Sequence, residues 1–254
     1  QFASEIEKYN ADRKDLDKQI TKEAFQQIEK NQEQNRFSTV VFLVDLHKGV
    51  IGIVASRLIE TYYRPTLVFT RSGDKYAASA RSVKGFDVYN ALDACSSHLE
   101  QFGGHMYAAG MTLKEENYPS FKEAFEKQVA TTILPEMLTP EIEIDAEINF
   151  TDITPKLIRI LKQFEPFGPL NMTPVFMTKN IKDTGYAKAM GADEDHLKVF
   201  VKQNNSEGIA AIGFGLGKKL DITTHQKPFQ AVYSFSENEW NGTISTQLML
   251  KDIQ

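Results

Sequence analysis

The sequence predicts an α/β domain, a mixed sheet covered by helices, with a long connecting helix before it and a small all-β barrel after it. Three observations carry this prediction. Strand-like and helix-like segments alternate between residues 38 and 138. After Pro140 the chain changes to short β-rich segments separated by turn residues. Near the start, Ile6, Tyr9, Leu16, Ile20, Ala24 and Ile28 recur at helical spacing among many charges, which gives an amphipathic helix with a narrow apolar stripe. The expected divisions are residues 1–36, 37–140 and 141–254.

The polar run Asn31-Gln32-Glu33-Gln34-Asn35 ends the leading helix. Residues 39–45 are β-rich, 50–62 helical and 65–70 β-rich again. A turn at Ser72-Gly73-Asp74 leads into a strand over 76–81, and 87–101 reads as a helix closed by Gly103-Gly104. A short strand over 108–113 and a helix over 118–132 complete the domain. Downstream, segments 175–184, 196–202, 209–214, 229–236 and 243–251 make five strands. With the turn-rich run Asn204-Asn205-Ser206-Glu207-Gly208 and a helical break near Lys218, they fit a five-stranded antiparallel OB-fold, a platform for single strands and oligosaccharides.

Composition narrows the function. A formal charge of −5 argues against a general basic surface, so any nucleic-acid contact is local. No stretch approaches the roughly 18 apolar residues of a membrane span, and no basic-then-apolar leader opens the chain, so the expected setting is cytoplasmic with no membrane partner. Cys95 stands alone, cannot form an internal disulfide, and is expected in the core. The five histidines are scattered, so no metal site is expected. The chain opens inside a helical pattern without a methionine or a cap, the expectation for a piece of something longer.

Three runs carry chemistry. In Phe102-Gly103-Gly104-His105-Met106-Tyr107-Ala108-Ala109-Gly110, glycines can turn N–H groups toward an anion and His105 can donate to a phosphate oxygen. The bland alternative is a helix capped by Gly103 with His105 satisfied in the core. In the run from His47 through Gly49 and Gly52 to Leu58, a strand opens into a helix whose first N–H groups favour an anion. Its alternative is a tightly packed helix with His47 as a local cap. In Ser79-Ala80-Arg81-Ser82, hydroxyls flank a guanidinium able to clamp phosphate.

In this order and spacing the three runs resemble the DHH-associated domain of the RecJ family, single-strand-specific 5′→3′ DNA exonucleases of the DHH phosphoesterase superfamily. The resemblance extends through Asn10-Ala11-Asp12-Arg13-Lys14 and Phe164-Glu165-Pro166-Phe167-Gly168-Pro169-Leu170-Asn171, and covers essentially the whole chain. It implies that a separate DHH domain holds two Mn²⁺ or Mg²⁺ ions, that this chain carries no cofactor, and that alone it does not cleave DNA. Its implied work is substrate placement in DNA repair and recombination. Ser79, Arg81, Ser82 and His105 would contact phosphate, Gly103 and Gly104 would shape the loop, and His47 would support it. Alanines at positions 78 and 80 replace glycines common in the family, and Leu46 replaces a tryptophan.

On the OB-fold, Tyr186, Lys188, Lys198, Phe200 and Trp240 are the candidates for base stacking and backbone contacts. Implied partners are single-stranded DNA, the missing DHH domain, a single-strand-binding protein and a recombination helicase. The competing readings are an RNA-binding module like that of alanyl-tRNA synthetases and a protein-interaction module.

Overall fold

The computed structural model describes residues 19–44, 46–168, 170–204, 206–224, 227–240 and 242–254, with the backbone alone at Trp240 and Thr243. Residues 1–18, the first part of the expected leading helix, lie outside the described residues. The chain divides into two compact units, Gln1–Pro140 and Glu141–Gln254.

In the first unit, helix α1 (19–30) is followed by β1 (Thr39–Phe42), α2 (Lys48–Tyr62), β2 (Thr66–Ser72), β3 (Lys75–Arg81), α3 (Val88–Asp93), β4 (Gln101–His105), β5 (Ala108–Lys114) and α4 (Tyr118–Thr132). The sheet order is β1-β2-β3-β5-β4, parallel only between β1 and β2, which α2 connects as a crossover. β2 is buried on both faces over its first five residues, as expected for a strand between two helical layers. One layer joins Ile20, Ala24 and Ile28 of α1 to Val54 and Leu58 of α2 over Val41 and Val68. The other packs Phe121, Phe125 and Val129 of α4 against Leu67, Phe69 and Leu113.

The connection after α1 is held by Arg64, which is buried. Its guanidinium donates to Thr39 Oγ1 at 2.7 Å, to the carbonyls of Gln34 at 2.7 Å and Glu33 at 2.9 Å, and to that of Arg36. A buried guanidinium must find such acceptors, and the turn at 31–36 supplies them.

The expected helix over 87–101 is corrected. α3 stops at Asp93, Ser96–His98 forms a single 3₁₀ turn, and β4 begins at Gln101. Gly103 and Gly104 therefore lie within an edge strand and cap no helix. Two glycines cost a helix about 1 kcal/mol each, whereas here they allow close pairing: Gly104 has a φ of +152°, and a Cβ on it would lie 2.8 Å from Ala109 Cβ.

The second unit contains β6 (Ala146–Glu147), α5 (Pro155–Lys162), β7 (Phe176–Asp183), β8 (Lys188–Met190), β9 (His196–Gln203), β10 (Ile209–Gly213), α6 (Leu220–Thr224), β11 (Phe229–Trp240) and β12 (Thr243–Ile253). The ladder runs β6-β7-β11-β12-β10-β9-β8 and returns from β9 to β7 through three residue pairs. This is the partly open ring of an OB-fold, with α6 between the third and fourth of its five main strands. The antiparallel expectation is corrected, because β10 runs parallel to β12 and β6 parallel to β7. Period-two patterning reveals a strand without its direction, and the α6 crossing sets that direction here. Inside the ring Leu197, Val199 and Val201 meet Ile181, Leu248 and Tyr233, whose hydroxyl lies 2.7 Å from Thr178 Oγ1.

Candidate nucleic-acid interface

Strand register assembles the first site. Ser79 lies opposite Gly110, which lies opposite Gly103; Arg81 lies opposite Ala108, which lies opposite His105. Directly paired residues share a face, so β3, β5 and β4 present serine, arginine, two glycines, alanine and histidine on one side. Arg81 and His105 stand two strand spacings apart, about 10 Å. The alternation turns Ala78, Ala80 and Ala109 to the opposite face, into the α4 core. Above Gly103 nothing stands within 4 Å of where a Cβ would be, and above Gly110 only Ala78 O at 3.9 Å. The result is an open shelf floored by backbone.

Helix α2 borders this shelf. A Cβ on Gly52 would lie 2.7 Å from Arg81 Nη2 and 3.2 Å from Ser79 Oγ, so only a glycine leaves the guanidinium its place. Arg81 Nη1 donates to Ser79 Oγ at 2.9 Å and to Ala80 O at 2.8 Å, which fixes the group and leaves other donors for a ligand. His105 is exposed, and its Nδ1 accepts from Tyr107 N–H at 3.3 Å, directing Nε2 outward. The hairpin that carries it is anchored by Ser82 N–H to Tyr107 O at 3.0 Å and Val88 N–H to Met106 O at 3.1 Å. The Ser82 hydroxyl donates to Phe86 O at 2.7 Å, so it braces this loop. His47 caps α2, accepting from Gly49 N–H at 3.1 Å through Nδ1.

The second site is the outer face of β9. Its alternation turns Lys198, Phe200 and Lys202 outward. Lys198 pairs across the ladder with Lys188, and Lys202 with Lys182. Phe200 is 39% exposed and packs on Gly208, while Tyr186 is 73% exposed on the loop between β7 and β8. Trp240 ends β11, and its side chain lies outside the described residues. Sequence reasoning missed Lys182 and Lys202; for Lys202 the signal was present, since strict alternation through His196–Gln203 puts it beside Lys198 and Phe200. Among the described residues no group of three His, Cys, Asp or Glu could hold a metal ion, and no helix is long and apolar enough to cross a membrane.

Known proteins share this architecture. Residues 36–131 match the model of the DHHA1 domain, and residues 144–252 that of the RecJ OB domain. The chain belongs to the RecJ family as a C-terminal region. It is 33% identical to the single-stranded-DNA-specific exonuclease RecJ of Bacillus subtilis, over 99% of this chain and 32% of that protein. With the Escherichia coli RecJ of the same description it shares 26% identity, over 99% of this chain and 44% of the relative. The crystal structure of Thermus thermophilus RecJ with Mn²⁺ superposes with a TM-score of 0.76 at 25% identity, covering 99% of this chain and 35% of that one. A Mg²⁺ complex of the same protein shows the same fold, with a TM-score of 0.72. This RecJ region thus spans from about a third to under half of its relatives.

Proposed function

We propose that this chain is the substrate-placing region of a single-stranded-DNA-specific 5′→3′ exonuclease acting in DNA repair and recombination. The observation that carries the reading is the register that brings Ser79, Arg81, Gly103 and His105 onto one face, bordered by α2 at Ser79 and Arg81 and exposed at Gly103 and His105. Arg81 would offer its free N–H groups to a terminal phosphate and His105 its Nε2, while Gly103 and Gly110 let the strand lie against the backbone. Gly104 shapes the edge strand, and Ser82 and His47 hold the flanking loop and helix. The OB unit, through Lys188, Lys198, Phe200 and Tyr186, would grip the strand behind its end, with Trp240 as a further stacking candidate.

In this reading residues 1–36 are the connecting helix and linker, 37–140 the DHH-associated domain and 141–254 the OB-fold. Mn²⁺ or Mg²⁺ fits no described residue set here, so hydrolysis is assigned to a DHH domain and no step of it to these side chains. A cytoplasmic setting, a single-strand-binding protein and a recombination helicase belong to the same proposal. The RNA-binding alternative is less favoured, because residues 144–252 match an OB domain of RecJ type. The test is fluorescence anisotropy of the 254-residue chain with 5′-phosphorylated, 5′-hydroxyl and duplex DNA. Tighter binding of the phosphorylated single strand, lost in Arg81→Ala or His105→Ala, is the expected result; indifference to the phosphate or equal duplex binding overturns the reading.

A further inference from the structure

β7, the loop after it and β8 act as one kinked strand along a single edge of β9. Residues 181–183 pair with 201–203, Thr184 donates from both N–H and Oγ1 to Phe200 O at 2.9 Å, and residues 188–190 pair with 196–198. The three intervening residues loop out at the level of Phe200, and the middle one is Tyr186. Asp183 pins this excursion: its Oδ2 accepts from Gly185 N–H at 2.6 Å and Ala187 N–H at 3.3 Å, with Gly185 at a φ of +99°. Its Oδ1 is buried without a partner, and Asp183 pairs with Val201, whose side chain lies in the core.

On the outer face this geometry leaves two rungs of like charge, Lys188 opposite Lys198 and Lys182 opposite Lys202. Like charges directly across a ladder are destabilising, and none of the four lysines is paired with an acid among the described residues. Lys182 and Lys202 also line one shallow pocket with Asn180, Asp183, Thr184 and Asn204, in which the Asp183 carboxylate is already engaged through Oδ2 by the Gly185 and Ala187 N–H groups. The rungs are four residues apart on β9, about 13 Å, with Phe200 midway and Tyr186 at its level. A stacked single strand would cover that span in roughly four nucleotides, and an extended one in fewer.

Resting on the single-strand reading above, we infer that the β9 edge is a two-phosphate, one-base reader. Each lysine rung takes one backbone phosphate, and one of the bases spanning the distance between them stacks on Phe200 and Tyr186. Asp183 is a positioning residue that acts through the Tyr186 loop. The Lys182–Lys202 rung extends the site beyond the groups named on sequence grounds.

The test is a salt titration of the full chain with oligothymidylate. Removing either rung, as Lys182→Ala/Lys202→Ala or Lys188→Ala/Lys198→Ala, should lower the slope of log affinity against log salt by about 0.7. Phe200→Ala should leave the slope alone and weaken binding roughly 5- to 150-fold. Asp183→Ala should reproduce part of that loss with an unchanged slope, and Asp183→Asn, which keeps an acceptor for the two N–H groups, should restore it. If wild-type protein binds single strands but both rung variants keep its slope, this inference falls and the wider reading stands. If wild-type protein does not bind single strands, the wider reading falls with it.

Discussion

The two sites solve opposite problems. The shelf of the first unit is made by side chains that are missing: Gly52, Gly103 and Gly110 leave space, and one arginine and one histidine supply chemistry. The β9 face is made by side chains that project, four lysines and two aromatics on a closed core. A site built from absent atoms is spoiled by additions: at Gly52 the guanidinium already occupies the space, and at Gly103 and Gly110 a side chain would stand where the strand is proposed to lie. A site built from projecting groups loses affinity in increments as each is trimmed. The first suits recognition of one feature, a chain end, and the second suits a grip that can slide.

The contrast breaks most readily at Gly104. Gly104→Val forces a side chain into a φ of +152° and onto Ala109, and should cost about 3 kcal/mol. Hydrogen exchange should show β5 amides losing protection while those of β9 keep theirs; equal loss in both units would dissolve the distinction.

Gly52→Ala separates stability from function. Alanine favours a helix by up to about 1 kcal/mol over glycine, so the melting temperature should hold or rise. Its Cβ takes the space of Arg81 Nη2, so preference for a 5′-phosphorylated strand should fall about tenfold, as for loss of a charged hydrogen bond. Unchanged preference would mean that the exact seat of Arg81 is immaterial.

A pH series addresses the core beneath the second site. Burial raises Tyr233 from the usual value near 10 to about 12. The neutral phenol is the form the fold favours, so its contribution is fully present below pH 10 and is lost as pH rises through about 12. The part of the tyrosinate absorbance that Tyr233→Phe removes, tracked with unfolding, should appear only as this unit weakens across that window; its appearance near pH 10 without unfolding would contradict it.

The smallest effect is the sharpest. Lys182→Ala removes one member of a like-charged cross-strand pair and should stabilise the second unit by a few tenths of a kcal/mol while weakening single-strand binding. A variant that loses both stability and binding would make the lysine structural.

Sequence alone revealed most of this where one pattern dominated. α2, β3 and α4 follow from clear periodicity, and β9 from strict alternation. β4 was hidden, because Gln101 and Phe102 continue a helical-looking run and only pairing with β5 makes the glycines a strand. α5 has eight residues and buries none of them fully, and β6 and β8 have two and three residues, too short for any pattern. Of the shelf, the residue types were legible, but their convergence was not, since register is a property of the folded sheet. Lys182 sits beyond the irregular Asn180, at a φ of +57°, where a simple count of two fails.

The knot around Arg64 has a mechanical consequence. By gripping the carbonyls that follow α1, it removes the slack that a six-residue polar turn would otherwise give. α1 shares its apolar cluster with α2, and α2 carries Gly52 over the guanidinium of Arg81. A load applied to α1 is therefore delivered, with little play in the joint, to the helix that sets the height of the shelf: the first unit is geared as a lever.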